Sequence, residues 1–176
     1  MSTGRLAAPD ERGVANLVYE LADAIDEADG ARIETTFGDA TFVLGDNPPR
    51  AGGAAFRAIV EQVMIRYDGS PRTKHVITNL VVTIDGAGGG GSGGDGVGDC
   101  DGRGDDAVDG EVGVTATASS LVTVFQAVPP ELPLQAVLGG RYEDRFRWTG
   151  DGWAWVERRM AITHRGDTSK HSVHRL

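Results

Sequence analysis

Apolar residues recur at helical spacing in the first third of the chain. Residues 12–28 carry one apolar stripe, formed by Val14, Leu17, Val18, Leu21 and Ile25. Asp10 is suited to cap the start of this helix, and Asp29 could cap a short second helix that runs through Ile33. A third helix is predicted over 54–67, with an apolar side made of Phe56, Ile59, Val60, Val63 and Met64.

After residue 72 the pattern changes to β-branched and alternating residues, which is typical of strands. Long strands are predicted over 73–84, 112–126, 135–148 and 153–164, after a short strand over 39–44. The turn at 149–152 reads TGDG, and Asp-Gly between two aromatic runs predicts a hairpin. Helices followed by antiparallel strands predict an α+β fold, with three N-terminal helices packed on one face of a curved sheet.

A glycine- and aspartate-rich insertion, residues 86–110, separates the first two long strands. Eleven of the nineteen residues from 86 to 104 are glycine, so the segment has too little apolar surface to offset the entropy of ordering it. It is predicted to be a flexible loop. Residues 90–98 match one glycine-rich calcium nonapeptide, but that motif works in stacked repeats and the next nine residues break it.

The domain organisation predicted from these patterns is one domain over 12–164, with an N-terminal tail over 1–11 and a polar C-terminal tail over 165–176 that we expect to fray. The net charge is −9, and no basic stripe supports nucleic-acid binding. No apolar run reaches the roughly 20 residues that span a bilayer. The start of the chain lacks the apolar core of a signal peptide, and Cys100 is the single cysteine. We therefore expect a cytoplasmic protein without membrane or nucleic-acid partners.

Two residues that can exchange protons stand at the ends of predicted elements. Asp26 lies at the margin of the first helix's apolar stripe, seven residues after Tyr19 and so almost in line with it. Burial there would raise the pKa of the carboxyl group towards that of a useful base, whereas a solvated helix end would leave it inert. His75 begins the first long strand and is either a structural core histidine or an acid–base group.

Further polar candidates lie on the strands. Tyr142 and Asp144 share the inward face of a strand whose other face carries Arg141, Glu143, Arg145 and Arg147. Tyr142 could polarise a ligand carbonyl or could form a hydrogen bond to the backbone. Asp144 could contact a ligand or could form an ion pair with Arg158 or Arg159. Alternation also places Asn79 on the face of His75, and Phe56 belongs to the third helix's apolar side. Asn79, Asp144 and Phe56 are thus candidate ligand contacts. No metal-ligand spacing links the four histidines.

Several short sequence motifs, taken in their order along the chain, resemble those of the SnoaL-like branch of the nuclear transport factor 2-like superfamily. They are YELADAIDEAD at 19–29, F-x-D-A at 37–40, TKHVITN at 73–79 and GRYEDRF at 140–146. The resemblance implies a cone-shaped α+β barrel with a deep apolar pocket for a small hydrophobic organic molecule. It also implies a homodimer and a reaction without a cofactor or metal.

The resemblance gives roles to particular residues. Dehydratase-like members pair an aspartate late in the first helix with a histidine at the start of the first long strand, and Asp26 and His75 match these positions. Tyr19 or Tyr142 would then stabilise a developing oxyanion. The dehydratases' second histidine, on the middle strand, has no counterpart in 118–124. The implied function is that of a lyase, isomerase or cyclase; the alternatives are a non-catalytic binding domain and an oxygenase subunit of the same fold.

Overall fold

The computed structural model describes residues 8–86 and 113–173, which form three helices and six strands. The helices are α1 (Glu11–Asp26), α2 (Gly30–Phe37) and α3 (Gly53–Val63). The strands are β1 (Thr41–Leu44), β2 (Arg50–Ala51), β3 (Thr73–Asp85), β4 (Thr115–Val128), β5 (Leu132–Trp148) and β6 (Trp153–Arg165). The predicted order of helices before long strands is confirmed.

One six-stranded sheet has the order β2-β1-β6-β5-β4-β3 and does not close. All neighbouring strands are antiparallel except β1 and β6, which are parallel. On β5 the alternation is as predicted, with Tyr142, Asp144 and Phe146 buried and the arginine-rich face exposed. The α+β class, with three helices packed on a mostly antiparallel sheet, is therefore confirmed.

An aspartate cap fixes the start of α1, and a sharp turn follows its end. Asp10 caps the helix by accepting a hydrogen bond from the backbone N–H of Gly13 at 2.7 Å. After Asp26, Ala28 adopts a positive φ of 56°, and Asp29 caps α2 through the N–H of Arg32. The chain therefore turns immediately after Asp26, which leaves this residue at the end of a helix that packs against β3.

Aromatic rings from α2, α3, β1 and the late strands form the main core. Phe37 stacks on Phe56 with ring centroids 4.5 Å apart, and Phe42 contacts the same ring at 4.8 Å. Trp155 packs between Phe37 and Phe146. Full burial of one such side chain stabilises the fold by about 1.5–3 kcal/mol, so this cluster anchors the helices on the sheet.

Strand β3 departs from simple alternation at Asn79. This residue has a positive φ of 53°, and the pairing with β4 shifts between Thr78 and Val81. The bulge reverses the faces, so Leu80, Val82 and Ile84 are partly buried while Val81 is 61% exposed. Unbroken alternation would have kept Val81 and Thr83 on the face of His75, whereas the bulge turns both of them to the exposed face.

The segment after β6 packs back onto the domain, unlike the frayed tail that we expected. The backbone N–H of Ile65 donates to the carbonyl of His171 at 2.9 Å, and Val173 donates to Val63 at 3.0 Å. Met64 is extended and forms a bridge with Ser172. This pairing ends α3 four residues before the predicted boundary.

The insertion predicted at 86–110 lies outside the described residues apart from Gly86, as do Cys100 and most of the N-terminal tail. Within residues 8–86 and 113–173, none of the helices is both long enough and apolar enough to cross a membrane. The described part of the chain also holds no cluster of three or more His, Cys, Asp or Glu side chains suited to a metal ion.

Candidate functional site

The carboxylate of Asp26 lies at the junction of α1 and β3. Its side chain is only 4% exposed. Oδ1 accepts a hydrogen bond from Thr73 Oγ1 at 2.7 Å, and Oδ2 accepts one from the backbone N–H of His75 at 2.8 Å. A buried carboxylate requires such donors, and the first residues of β3 supply them.

The imidazole of His75 completes this arrangement, because its Nδ1 lies 2.6 Å from Asp26 Oδ1. A carboxylate only accepts hydrogen bonds, so the proton of the neutral ring belongs on Nδ1. The lone pair then lies on Nε2, which is the nitrogen left for a bound molecule. The side chain of His75 is itself 9% exposed.

Charge and hydrogen bonding together lower the pKa of Asp26. Burial by itself would raise this pKa. The hydrogen bond and the charge interaction with the His75 ring lower it by more, and the hydrogen bonds from the His75 backbone N–H and from Thr73 lower it further. Lys74 Nζ, on a largely exposed side chain, stands 3.9 Å from Oδ2. Asp26 is therefore ionised at neutral pH and can balance a positive charge on His75.

His75 also borders a cavity of about 110 Å³ between the helices and the sheet. The polar members of its wall are His75, Tyr142, Arg158 and His171. The other wall residues are aliphatic, aromatic or methionine: Ile25, Phe42, Leu44, Phe56, Ile59, Val60, Val63, Met64, Val124, Leu138, Met160 and Ile162. A mostly apolar cavity with a small number of polar groups in its wall is typical of a small-molecule site.

Tyr142 is buried in this wall under the guanidinium of Arg158, whose central carbon is 3.8 Å from the ring centroid. Burial raises the pKa of Tyr142, against the charge of Arg158, which lowers it. The phenol therefore stays protonated at neutral pH. It is available as a hydrogen-bond donor beside the cavity.

Asp144 does not line this cavity, so the structure gives no support here to its prediction as a ligand contact. Its two oxygens accept hydrogen bonds from Arg158 Nε and Nη2 at 2.8 and 2.9 Å, with both side chains buried. The sequence left open whether Asp144 pairs with Arg158 or with Arg159, and in the structure it pairs with Arg158. Burial disfavours the charged guanidinium, but the carboxylate outweighs this and raises the pKa of Arg158. Arg158 in turn packs between Tyr142 and Trp155.

Two further predicted residues lie away from the cavity. Asn79 is exposed at the β3 bulge, because the positive φ there turns the strand. Tyr19 is 47% exposed and lines an open concavity of about 610 Å³ that also includes Asp26 and His75. Tyr19 and Asp26 do lie on one line of α1, but seven residues separate them by about 10 Å along the axis. Phe56, by contrast, lines the cavity, and its contact with a ligand stays a prediction.

Sequence reasoning missed His171. This residue was assigned to a polar tail, yet it is 5% exposed and its ring lines the cavity with His75. Its burial and the charge of His75 lower its pKa from 6.5 to about 4, so the ring is neutral at physiological pH. No local pattern marks this position, since it depends on pairing with the chain after α3.

The same fold occurs in solved structures of remote relatives. An NTF2-like protein with a cystatin-like fold from Novosphingobium aromaticivorans is 18% identical, with 92% of this chain and 86% of that one aligned at a TM-score of 0.58. A provisionally named scytalone dehydratase from the same organism is 16% identical, covers 89% and 85%, and scores 0.57. A provisionally named dehydratase of the NTF2-like family from Streptomyces avermitilis is 14% identical, covers 86% and 95%, and scores 0.54.

These identities support a common fold and carry no activity over to this chain. No curated protein matches the sequence significantly. The SnoaL-like domain family matches residues 7–97, just over half of the 176 residues, and this region contains both Asp26 and His75. The chain therefore belongs to the SnoaL-like domain family.

Proposed function

We propose that this protein is an enzyme that transfers a proton on a small, uncharged organic molecule, as a lyase, isomerase or cyclase. The observation that carries the proposal is the hydrogen bond of 2.6 Å between Asp26 and His75, with His75 in the wall of the apolar cavity. A base that is oriented by a buried carboxylate and borders an apolar cavity is suited to removing a proton from carbon.

The first step assigns one task to each partner of the pair. Asp26 holds the proton of the ring on Nδ1, so Nε2 of His75 is free to accept a proton from the substrate. The C–H bond breaks, its electron pair passes to the adjacent carbonyl, and His75 becomes positively charged. The ionised Asp26 stabilises this imidazolium. The same Nε2–H can then return the proton to the substrate. In an isomerase it would protonate another carbon, and in a lyase it would protonate the leaving group.

Tyr142 is the proposed donor to the oxyanion that forms at the substrate carbonyl. It lies in the same cavity wall, and its raised pKa keeps the hydroxyl proton in place. Arg158, stacked on the ring, adds a positive charge that its pairing with Asp144 holds in place. A fixed donor in a low-dielectric site stabilises a developing negative charge without reorganisation.

The size of the cavity restricts the substrate. An apolar cavity of about 150 Å³ is known to accept benzene, so about 110 Å³ fits at most one small ring unless side chains move. Met64 and Met160 in the wall are unbranched and can adopt other rotamers. The proposed substrate is accordingly a compound built on a single ring that carries a carbonyl or hydroxyl group.

Deuterium exchange tests the proposal without knowledge of the natural substrate. Cyclopentanone is incubated with the protein in D₂O, and NMR follows the loss of its α-protons. We expect the wild type to accelerate exchange and His75→Gln to lower this acceleration by at least about 100-fold, the usual contribution of a general base. Asp26→Asn should also slow exchange, because the neutral amide no longer balances the imidazolium.

The matched control is His164→Gln, since His164 lies exposed on β6 and contacts Thr163 rather than the cavity. This variant should exchange cyclopentanone at the wild-type rate. Equal rates for wild type and a folded His75→Gln variant, or no acceleration by the wild type, would contradict the proposal. That result would favour a non-catalytic binding domain.

A further inference from the structure

We propose that His171 is a substrate-positioning residue, whose imidazole binds the oxygen of an uncharged one-ring ligand in the cavity. The inference rests on the proposed function in using the same cavity, and it adds both a residue and a ligand class. It places the ligand oxygen between His171, from the C-terminal segment, and His75, from β3.

The C-terminal segment holds His171 from several sides. Its backbone carbonyl accepts from Ile65 N–H at 2.9 Å, and its own N–H donates to Thr168 at 2.9 Å. The preceding carbonyl, that of Lys170, accepts from Tyr67 Oη at 2.9 Å and from Gln126 Nε2 at 3.0 Å. These contacts fix the backbone on both sides of the peptide bond. The ring is therefore held in the cavity wall instead of moving with a free chain end.

The ring itself has spare hydrogen-bonding capacity. His171 is 5% exposed, and its buried Nδ1 has no hydrogen-bond partner within residues 8–86 and 113–173. Buried polar side-chain atoms in native proteins are nearly always paired, because an unpaired one costs about 1–3 kcal/mol. The unpaired Nδ1 belongs to a ring in the cavity wall. It therefore indicates that His171 binds a ligand in the cavity.

The hydrogen-bonding groups of the two histidines suit an uncharged oxygen ligand. Neutral His171 offers one N–H donor and one acceptor, while Nε2 of His75 offers an acceptor. A ligand hydroxyl can thus donate to His75 and accept from His171 at the same time. Among the described residues, the cavity wall adds no unpaired charge to attract an ion, because the guanidinium of Arg158 is paired with the carboxylate of Asp144.

Phenol and toluene form a suitable probe pair, since they share one ring and nearly the same shape but only phenol carries a hydroxyl. Calorimetry would give the dissociation constants of both for the wild type and for His171→Leu. The wild type should prefer phenol. His171→Leu should reduce this preference by about three- to tenfold, the worth of one net hydrogen bond, with toluene binding little changed.

Conservative variants separate hydrogen bonding from packing. Asn places a polar atom near the position of Nδ1 and Gln near that of Nε2, so at least one of His171→Asn and His171→Gln should restore the phenol preference. The exposed His164→Leu serves as the control and should keep the wild-type preference. In wild-type protein, phenol should also shift the ¹⁵N NMR signals of the His171 ring, a readout that does not depend on any variant folding.

The inference is wrong if the wild type binds neither probe, if His171→Leu keeps the full phenol preference, or if saturating phenol leaves the His171 ring signals unmoved. These results are distinct from failure of the proposed function. Loss of cyclopentanone exchange in His75→Gln, together with an unchanged phenol preference in His171→Leu, would refute the role of His171 alone.

Discussion

Replacement of Asp26 by asparagine tests how the site is built into the fold. The amide is the same size as the carboxylate but has one acceptor oxygen in place of two, and it carries no charge. In the wild type both oxygens are occupied, by Thr73, by the His75 ring and by the His75 backbone N–H. An asparagine that keeps Oδ1 necessarily points its NH₂ group at the backbone N–H of His75.

The expected loss of stability follows from these contacts. One charge-assisted hydrogen bond, worth about 1.5–3 kcal/mol, is lost, and the N–H that made it is left unpaired in a part-buried place. The other two bonds weaken because their acceptor becomes neutral. We expect Asp26→Asn to lower the free energy of unfolding by about 3 kcal/mol at pH 7, measured by urea denaturation.

The pH dependence of this loss follows from the lowered pKa of Asp26. Its ordinary value is 3.8, and the folded protein holds it lower. The ionised carboxylate therefore stabilises the fold above about pH 4, and this contribution disappears as the pH falls through the folded pKa. The difference between wild type and Asp26→Asn should shrink as the pH falls from about 4 through the lower pKa of folded Asp26.

Asp23→Asn is the matched control on the same helix. Asp23 is 55% exposed and pairs with Arg32 at 2.7 Å, an exposed ion pair that contributes at most about 1 kcal/mol. A loss below about 1 kcal/mol in Asp26→Asn, or an equal loss in the two variants, would refute the assignment of Asp26 as a buried, ionised and fully hydrogen-bonded group.

Three further predictions concern other parts of the structure, and each is checked by the free energy of unfolding. Arg158→Leu should cost about 3–5 kcal/mol because it leaves Asp144 buried and unpaired, and a second change, Asp144→Leu, should recover much of the loss. Gly53→Ala should cost about 2 kcal/mol, since the added methyl group would overlap the carbonyl of Glu34; a neutral result would mean that α2 and α3 are less closely packed. Burial keeps folded His171 unprotonated down to about pH 4, whereas the unfolded ring binds a proton near pH 6.5, so stability is present above pH 6.5 and is lost as the pH falls towards 4. His171→Leu should remove an acid-induced loss of up to about 3 kcal/mol, and equal pH slopes in the variant and the wild type would contradict this.

The elements that carry an apolar period could be predicted from the sequence alone. The stripe of α1, with Val14, Val18 and Leu21 all buried, needs only one side facing a sheet. The Asp10 cap and the hairpin before Trp153 are likewise set by local chemistry. Alternation also placed Tyr142 inside, because the other face of β5 carries four charged side chains.

What the sequence could not predict depends on backbone geometry or on distant contacts. The bulge at Asn79 reverses the faces of β3 without any residue pattern that demands it. His171 enters the cavity wall because Tyr67 and Gln126 hold Lys170, and Tyr67 is 103 residues away from it along the chain. The pair of Asp26 and His75 was expected from family resemblance. The bond lengths within it come from the packing of α1 on β3.

The most direct test of the account is ¹⁵N NMR of the His75 ring at pH 7, with and without phenol. The contact between His75 Nδ1 and Asp26 predicts a single tautomer with the proton on Nδ1. The Nε2 signal should then shift when the hydroxyl group of phenol donates a hydrogen bond to this nitrogen. A proton on Nε2 in the free protein, or an Nε2 signal that does not move at saturating phenol, would contradict the placement of a free base in the cavity wall.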